Sequence, residues 1–373
     1  MDNSSKYPVY IWQKSGWPNF TFDKEAVYSR LAEVKLRQGH LIGTLSALGF
    51  DIKQNTALDT LTDEVVFSSE IEGEMLNAGS VRSSVAKRLG IECEGLPASD
   101  HYIEGVVEIA IDATLHYDKA IDEARLFGWH GALFPTGRSG LDKITVADWR
   151  KGEDPMYVVS GAMGKEKIHY QAPASEDVPR EMGRLLRWIE EADCDNVVKA
   201  AIAHYWFVSI HPFDDGNGRL ARTITDLLMA RSDGMPHRYY SVSTEIRNRK
   251  KDYYAVLERT SLGGMDVTEW ILWFLDCVKG AINTSELRIA KVMRKSDFWS
   301  KHRDTAINER QRKVLDMLMG DFEGKLNTSK WAKICKCSQD TALRDINDLI
   351  GKGILRKTDE GGRSTNYELN QQE

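Results

Sequence analysis

Residues 196–231 constrain the fold of this chain more than any other segment. Two stretches with helical spacing of apolar residues flank a short loop that contains one proline and two glycines. Proline cannot continue a helix, and glycine adopts the backbone conformations that tight turns require. The pattern therefore predicts two helices, at 196–209 and 219–231, joined by a loop that begins at His211.

Helical periodicity extends over most of the remaining chain, with one clear interruption. Further helices are predicted at 31–48, 58–75, 101–119, 122–133, 178–191, 249–260 and 267–290. Residues 136–179 are instead rich in glycine and proline, and two short runs of strand character, 156–160 and 167–171, predict a β-hairpin. The predicted fold class is mainly α, with a small hairpin on a helical core.

The C-terminal part of the chain has a different organisation. A short helix at 328–334, a turn at 335–337 and a second helix at 338–350 precede two short strands around residues 360–362. This order of elements is typical of a winged helix-turn-helix. Three domains are therefore expected: an N-terminal helical domain at 1–99, a central domain at 100–295 and the winged helix at 296–373.

Composition and charge exclude several classes of protein. The 373 residues are 42% hydrophobic and 28% charged, which excludes a disordered or fibrous chain. The net charge of −6 gives no overall positive field, so any DNA contact must come from a local patch. The chain has no long apolar run and no signal-peptide pattern, and its five cysteines are few and scattered. These features favour a reducing, cytoplasmic location without membrane association.

The start of the second helix carries groups suited to a polyphosphate. Gly216 and Gly218 allow backbone N–H groups to converge at a helix N-terminus, which favours an anion. Arg219 and Arg222 are three residues apart and lie on one face of the first helical turn. Two guanidinium groups beside such a terminus fit a chain of phosphates.

The preceding loop provides an acid–base group and a metal ligand. His211 has an ordinary pKa near neutrality and is the natural general base. An adjacent carboxylate, Asp214 or Asp215, is suited to a Mg²⁺ ion that bridges phosphate oxygens. The segment matches neither an EF-hand nor a Walker A loop. Together these groups indicate phosphoryl or nucleotidyl transfer.

Residues 211–222 resemble the motif of the Fic (filamentation induced by cAMP) family, H-P-F-x-(D/E)-G-N-G-R-x-x-R, at every specified position. The resemblance extends across the chain, since the aromatic N-terminal segment and the winged helix are similar to domains that Fic proteins carry. It implies a protein adenylyltransferase, which moves AMP from ATP to a Ser, Thr or Tyr hydroxyl of a protein and releases pyrophosphate. Some relatives transfer other phosphate-containing groups, and that alternative stays open.

The resemblance implies a role for each motif residue. His211 would deprotonate the target hydroxyl, and Asp215 would hold Mg²⁺ between the α- and β-phosphates of ATP. Arg222 would clamp the γ-phosphate. The other implied phosphate ligands lie at the helix start: Gly216, Asn217, Gly218 and Arg219. Phe213 would anchor the core, and Asp214, at the motif's free position, has no implied role.

A second segment resembles the inhibitory motif of Fic proteins, (S/T)-x-x-x-E-(G/N). Ser68, Glu72 and Gly73 match it, and the spacing places Ser68 and Glu72 on one helical face. The resemblance implies that Glu72 pairs with Arg222 and occupies the space of the γ-phosphate, so that the enzyme is autoinhibited. Glu70, the competing carboxylate, lies on another face. In some relatives the glutamate also supports removal of AMP, and that activity stays open.

Two further sites follow from the resemblance. The hairpin residues Ile168, His169 and Tyr170 correspond to a flap that pairs with the target segment as an added strand. Tyr254 would border the adenine pocket. The target is a hydroxyl-bearing protein, this chain included, and the sequence leaves a homodimer open.

The winged helix supports a rival function, a DNA-binding transcriptional regulator. Its second helix combines one arginine with three carboxylates: Arg344, Asp340, Asp345 and Asp348. Carboxylates that pointed outward would disfavour DNA. Better candidates for DNA contact lie near the wing: Arg356, Lys357 and Arg363. A protein-interaction or structural role stays open, whereas an inactive scaffold is disfavoured because every motif position is filled.

Overall fold

The computed structural model describes residues 8–92, 97–160, 167–320, 322–358 and 365–370, and the chain divides into two compact units, Met1–Ser285 and Glu286–Glu373. The described residues form fourteen α-helices: α1 (Lys24–Ser46), α2 (Phe50–Ile71), α3 (Ala78–Leu89), α4 (His101–Leu115), α5 (Glu123–Leu133), α6 (Val178–Glu191), α7 (Asn196–Ile210), α8 (Asn217–Asp233), α9 (Val242–Asn248), α10 (Lys250–Leu262), α11 (Thr268–Lys301), α12 (Glu309–Met319), α13 (Thr328–Cys335) and α14 (Gln339–Gly351). Six strands form three antiparallel pairs: β1 (Arg138–Ser139) with β2 (Asp142–Lys143), β3 (Tyr157–Ser160) with β4 (Lys167–Gln171), and β5 (Leu355–Lys357) with β6 (Tyr367–Leu369).

The fold class is mainly α, as the sequence predicts. Helix α6 and strand β4 have the predicted bounds, and α7 and α8 replace the predicted pair at 196–209 and 219–231 with slightly longer helices. The prediction at 58–75 is wrong at both ends, since α2 begins at Phe50 and ends at Ile71. The predicted domain boundaries after residues 99 and 295 stay predictions.

Three helices, α3, α9 and α12, are absent from the sequence prediction. Each is short, so apolar periodicity gives only a weak signal. Each nevertheless begins at a side-chain N-cap, provided by Asn77, Ser241 and Asn308. These caps accept a hydrogen bond from a backbone N–H of the first helical turn, and they were the sequence signal that could have found the helices.

Helices α7 and α8 form the centre of the first unit. Nearly all of α7 is buried, because its apolar residues surround the helix instead of forming one stripe. The buried His204 is fully partnered: Nδ1 lies 3.0 Å from Oγ1 of Thr225 on α8, and Nε2 lies 2.9 Å from the hydroxyl of Tyr253 on α10. These contacts satisfy its polar atoms and tie α7 to two neighbouring helices.

The aromatic N-terminal segment packs against this centre. The rings of Trp17 and Phe20 lie 6.2 and 5.5 Å from the ring of Trp206 on α7. Thr21 forms a parallel β-bridge with Asp266, immediately before α11. The segment is therefore part of the first unit's core.

The same segment also holds the β3–β4 hairpin. The rings of Tyr10 and Tyr170 are 5.0 Å apart, and Nε1 of Trp12 donates to the carbonyl oxygen of Gln171 at 2.7 Å. The hairpin is thereby fixed on the helical core at the base of β4.

The second unit contains α12, which the sequence did not predict, and then α13, α14, β5 and β6 in the predicted order. Its core is buried around Trp331, Ile346 and Tyr367. The predicted turn at 360–362 and Arg363 lie outside the described residues. Across the described ranges of both units, every helix is too short or too polar to cross a membrane.

Candidate active site

Two left-handed backbone conformations shape the loop between α7 and α8. His211 follows α7 with φ +53°, and its N–H donates to the carbonyl oxygen of Phe207 at 3.0 Å. Gly216 precedes α8 with φ +83°, and a Cβ atom there would lie 2.9 Å from Cε2 of Phe134. Only glycine fits this position, so the first glycine of the motif sets the turn that starts α8.

The side chain of Asn217 closes the loop. Its Oδ1 accepts from the N–H of Phe213 at 3.0 Å, and its Nδ2 donates to the carbonyl oxygen of Phe213 at 2.8 Å. Phe213 itself is fully buried. The amide of Asn217 is therefore occupied by the loop, and its backbone N–H, at the start of α8, is the group left for a phosphate.

His211 is held as a neutral imidazole. Its Nδ1 lies 3.4 Å from the carbonyl oxygen of Val208, which can only accept, so Nδ1 carries the proton and Nε2 keeps its lone pair. Burial lowers the pKa of His211 to about 4. Arg150 fixes the backbone below it, since its Nε donates to the carbonyl oxygen of His211 at 2.8 Å. The imidazole can therefore accept a proton at neutral pH.

A second histidine supports the carboxylate side of the loop. Nδ1 of His130 accepts from the N–H of Ala147 at 3.2 Å, so Nε2 donates to the carbonyl oxygen of Asp215, also at 3.2 Å. The His130 ring stacks on Phe213 with centroids 4.1 Å apart. Burial lowers the pKa of His130 to about 4, which keeps this arrangement neutral.

The two aspartates of the loop have different partners. Oδ2 of Asp214 accepts from the N–H of Thr145 at 2.8 Å. Asp214, at the motif's free position, therefore holds the backbone at Thr145 against the loop. Asp215 accepts from the hydroxyl of Ser139 and, at 2.5 Å, from the N–H of Gly216. Its side chain is 44% exposed, so it is the carboxylate that remains accessible to a metal ion.

Arg222 is buried against the end of α2. Its Nη2 donates to Oε1 of Glu72 at 2.8 Å and to the carbonyl oxygen of Ser68 at 2.9 Å, while Nε donates to Oγ of Ser68 at 2.8 Å. A Cβ atom on Gly218 would lie 2.0 Å from Oε1 of Glu72. The Glu72 carboxylate thus lies directly over the start of α8, where an anion is favoured. Burial acts to lower the pKa of Arg222, but the charge and hydrogen bond of Glu72, together with the nearby Tyr253 and Tyr254, raise it overall.

The end of α2 explains why a glycine follows Glu72. Gly73 has φ +88°, its N–H donates to the carbonyl oxygen of Glu70, and the N–H of Glu74 donates to that of Ser69, both at 3.0 Å. These two bonds define a Schellman motif, in which the left-handed position is normally glycine and sometimes asparagine. Glu72 and Glu74 therefore flank the left-handed residue on one rigid terminus.

Arg219 contacts the second of these carboxylates. Its Nη1 donates to Oε2 of Glu74 at 2.8 Å and to the hydroxyl of Tyr102 at 2.5 Å, and the Tyr102 hydroxyl donates to the same oxygen of Glu74. The guanidinium lies 5.0 Å from the centroid of the Phe134 ring. Arg219 is therefore paired, although no local sequence pattern indicates its partners.

Tyr254 is the remaining predicted nucleotide contact. It lies in α10, is 41% exposed, and its ring centroid is 5.0 Å from that of the buried Tyr253. Burial raises its pKa to about 12, and the charges of Glu72 and Arg222 also act on it. Its ring is therefore partly exposed and lies within range of the charges of Glu72 and Arg222.

The three predicted flap residues face different surroundings. Ile168 is 38% exposed and pairs across the hairpin with the exposed Val159. Nδ1 of His169 lies 3.0 Å from Oε2 of Glu258 on α10. Tyr170 is buried, and its hydroxyl donates to the carbonyl oxygen of Ser209 at 2.7 Å. Tyr170 is therefore an anchor of the hairpin, whereas Ile168 is on its exposed surface.

Comparison with known proteins identifies the central segment. Residues 120–229 match the Fic/DOC family, and residues 10–91 match a domain of unknown function (DUF4172). The chain carries a Fic domain. Helix α7, the loop that carries His211, the supporting His130 and α8 as far as Met229 fall inside the matched Fic segment.

Curated relatives are adenylyltransferases by name. Protein adenylyltransferase fic-1 of Caenorhabditis elegans is 38% identical over 225 residues, which cover 57% of this chain and 40% of the relative. Protein adenylyltransferase Fic of Nematostella vectensis is 24% identical over 231 residues, which cover 59% of this chain and 47% of the relative. The chain thus spans less than half the length of these relatives.

A solved structure shares the fold. The crystal structure of a Fic family protein from Desulfovibrio desulfuricans G20 superposes with a TM-score of 0.53 at 22% identity, over 95% of this chain and 99% of that one. This likeness establishes the Fic fold.

Proposed function

We propose that this Fic protein is a protein adenylyltransferase, a nucleotidyltransferase that moves AMP from ATP to a hydroxyl group of a protein. The observation that carries the proposal is a neutral, partly accessible His211 beside a helix N-terminus and two buried arginines. The names of the curated relatives support the same activity. A nucleotidyl donor other than ATP is the alternative within this chemistry.

The proposed reaction uses His211 as general base. Nε2 accepts the proton of the target hydroxyl as its oxygen bonds to the α-phosphorus of ATP. The bond from that phosphorus to the bridging oxygen breaks, and pyrophosphate leaves with the electron pair. Arg150 acts as a positioning residue, because it holds the backbone of His211. The N–H groups at the start of α8 bind the phosphate oxygens.

Asp215 is the residue that would hold Mg²⁺. Within the described ranges no group of three or more His, Cys, Asp or Glu side chains could form a metal site by itself. Mg²⁺ is commonly bound through one or two carboxylates together with substrate phosphates, so the single accessible carboxylate of Asp215 fits an ion that arrives with ATP. The bound ion would supply positive charge that offsets the charge of the phosphates.

We also propose that the pair of Glu72 with Arg222 is inhibitory. The Glu72 carboxylate covers Gly218 and occupies Arg222, which are the groups assigned to a phosphate. ATP must displace it to bind productively. The target protein, this chain included, would add a strand along the exposed edge of the β3–β4 hairpin.

The test compares wild type, Glu72→Gly and Glu72→Gly/His211→Ala with ATP labelled at the α- or the γ-phosphate. We expect label on protein from the α position alone, raised about 5-fold or more by Glu72→Gly and abolished with His211→Ala. Label from the γ position would instead establish a kinase-like reaction. No label from either position, with ATP still bound, would exclude self-modification from ATP and leave another donor nucleotide, a separate target protein or the DNA-binding regulator as the explanations to test.

A second candidate function, DNA binding, gains support from α14. Asp345 is buried, and both of its carboxylate oxygens accept from Arg310, at 2.7 and 3.0 Å. Asp348 pairs with Lys352. These partners orient or neutralise two of the three carboxylates that would disfavour DNA. Beside the exposed Asp340, the outward face of α14 carries side chains of the types that can hydrogen-bond to base edges: Gln339, Arg344 and Asn347.

Salt dependence tests this candidate. Affinity for duplex DNA that falls steeply between about 50 and 200 mM salt, and weakens with Arg344→Glu, would support it. Binding that is insensitive to salt and to Arg344→Glu would exclude it.

A cytoplasmic location is proposed on the free thiols of Cys194, Cys277, Cys335 and Cys337, the cysteines that the structure describes.

A further inference from the structure

We propose that Arg219 and Tyr102 form a second anion subsite, which binds a phosphate group of the nucleotide and which Glu74 occupies in the inhibited protein. The inference rests on the proposed function, because it assigns a further part of the same nucleotide site. It adds Tyr102 as a phosphate ligand and Glu74 as a second inhibitory residue. The motif that includes Glu72 assigns neither role.

The contacts of Glu74 are those that a phosphate oxygen would receive. One oxygen of its carboxylate accepts from Nη1 of Arg219 at 2.8 Å and also from the hydroxyl of Tyr102. Hydrogen bonds from a guanidinium to an anionic oxygen are among the strongest in proteins, and phosphate is a preferred acceptor. A carboxylate at this position therefore imitates a phosphate.

Unpartnered donors point to a larger anion. Among the described residues, Nε of Arg219 and Nη1 of Arg222 are buried and have no hydrogen-bond acceptor. Buried polar atoms are almost always partnered, so one nitrogen on each arginine still needs an acceptor even with the two glutamates in place. A polyphosphate carries more acceptor oxygens than two carboxylates and could satisfy both donors.

The second subsite is continuous with the first. The two arginines are one helical turn apart on α8, and the two carboxylates flank Gly73 on the end of α2. The Phe134 ring that lies against Arg219 is also the ring nearest to Gly216. The α2 terminus thus places one carboxylate on each arginine of the motif.

Glu74 has space into which it can be displaced. Its side chain is 39% exposed. Together with Tyr102, Asn77 and Ser99 it lines a cleft with a volume of about 740 Å³. An incoming phosphate can therefore replace the carboxylate without repacking the core.

Binding measurements test the subsite without any transfer reaction. ATP and adenosine would be titrated calorimetrically into Glu72→Gly and into Glu72→Gly/Glu74→Gln. We expect the second substitution to tighten ATP about 5-fold or more and to leave adenosine unchanged. The matched control is Glu72→Gly/Glu70→Gln, because Glu70 leaves the same helix end but pairs with Arg247 at 2.9 Å.

Two results would overturn the proposal. One is a gain in ATP affinity no larger than that of the Glu70 control. The other is an equal gain for adenosine, which has no phosphate and would report only a wider pocket.

Tyr102→Phe, added to Glu72→Gly/Glu74→Gln, isolates the hydroxyl while it keeps the ring. We expect ATP to bind about tenfold more weakly and adenosine to bind as before. Unchanged ATP affinity would remove Tyr102 from the subsite. If the binding results hold and no α-label is transferred, the proposed function fails and the subsite stands; the converse pattern refutes the subsite alone.

Discussion

Gly73 offers a way to weaken the proposed inhibition without changing a charged residue. Its φ of +88° is required by the Schellman motif that fixes Glu72 and Glu74. A Cβ atom at this position would meet no other atom within 4 Å. The effect of Gly73→Ala is therefore confined to the backbone conformation.

The magnitude follows from that conformation. An L-residue in the left-handed region costs about 1–2 kcal/mol relative to glycine. The strain is relieved when the end of α2 leaves this conformation, so the ratio of closed to open protein should fall about 5–30-fold. In a protein that is mostly closed, the initial rate of labelling from α-labelled ATP should rise by a similar factor.

Two variants make the assay specific. Gly73→Asn should raise the rate less than Gly73→Ala, because asparagine tolerates the left-handed region better. Gly90→Ala is the matched control. Gly90 ends α3 with φ +69°, and a Cβ atom there would also meet no other atom within 4 Å. Gly90 has no hydrogen bond to Glu72 or Glu74. A Gly73→Ala rate no higher than that of Gly90→Ala would refute the link between this backbone conformation and the inhibited state.

Three further predictions concern the loop and the buried histidines. In Glu72→Gly, the rate of protein labelling from α-labelled ATP should stay constant from pH 8 to about pH 5 and fall towards pH 4. The reason is that the lowered pKa of His211 keeps the imidazole neutral above that range. A decline centred near pH 6.5 would contradict this expectation. Asn217→Ala should lower the free energy of unfolding by about 2–3 kcal/mol, because both main-chain bonds to Phe213 are lost. Asn217→Asp should be at least as costly, because it turns a carboxylate oxygen towards the carbonyl oxygen of Phe213; chemical denaturation measures both. The free energy of unfolding should also decrease as pH falls from 7 to 5. Burial lowers the pKa values of His130, His204 and His211 in the folded protein to about 4, 3 and 4, so the unfolded chain takes up protons first. His204→Gln should therefore reduce the dependence of the unfolding free energy on pH. Equal denaturation midpoints at the two pH values would exclude that coupling.

The candidate active-site loop was predictable because its residues are contiguous. His211, Asp215 and both arginines lie within twelve positions, and each residue type signals its own chemistry. A second local pattern, which runs from Ser68 to Gly73, indicates Glu72. Its partner on α8 was then implied by the resemblance and not by the spacing alone.

The supporting residues could not be predicted in the same way. Arg150 and His130 reach the loop from other elements, and no local sequence pattern ties them to His211 or Asp215. Glu74 lies two residues beyond Glu72, yet only the left-handed turn at Gly73 directs it to Arg219. Such contacts depend on tertiary packing, which periodicity does not encode.

The docking of the aromatic N-terminal segment has a consequence for synthesis on the ribosome. The N–H of Thr21 donates to Met265, and the N–H of Val267 donates back to Thr21, so these residues meet across more than half of the chain. Trp17 and Phe20 are made early, but the helix they cover emerges only later. Until then their rings lack this partner on α7. The first segment of the unit to be translated is therefore among the last to reach its final position, and the hairpin that it anchors must wait for it.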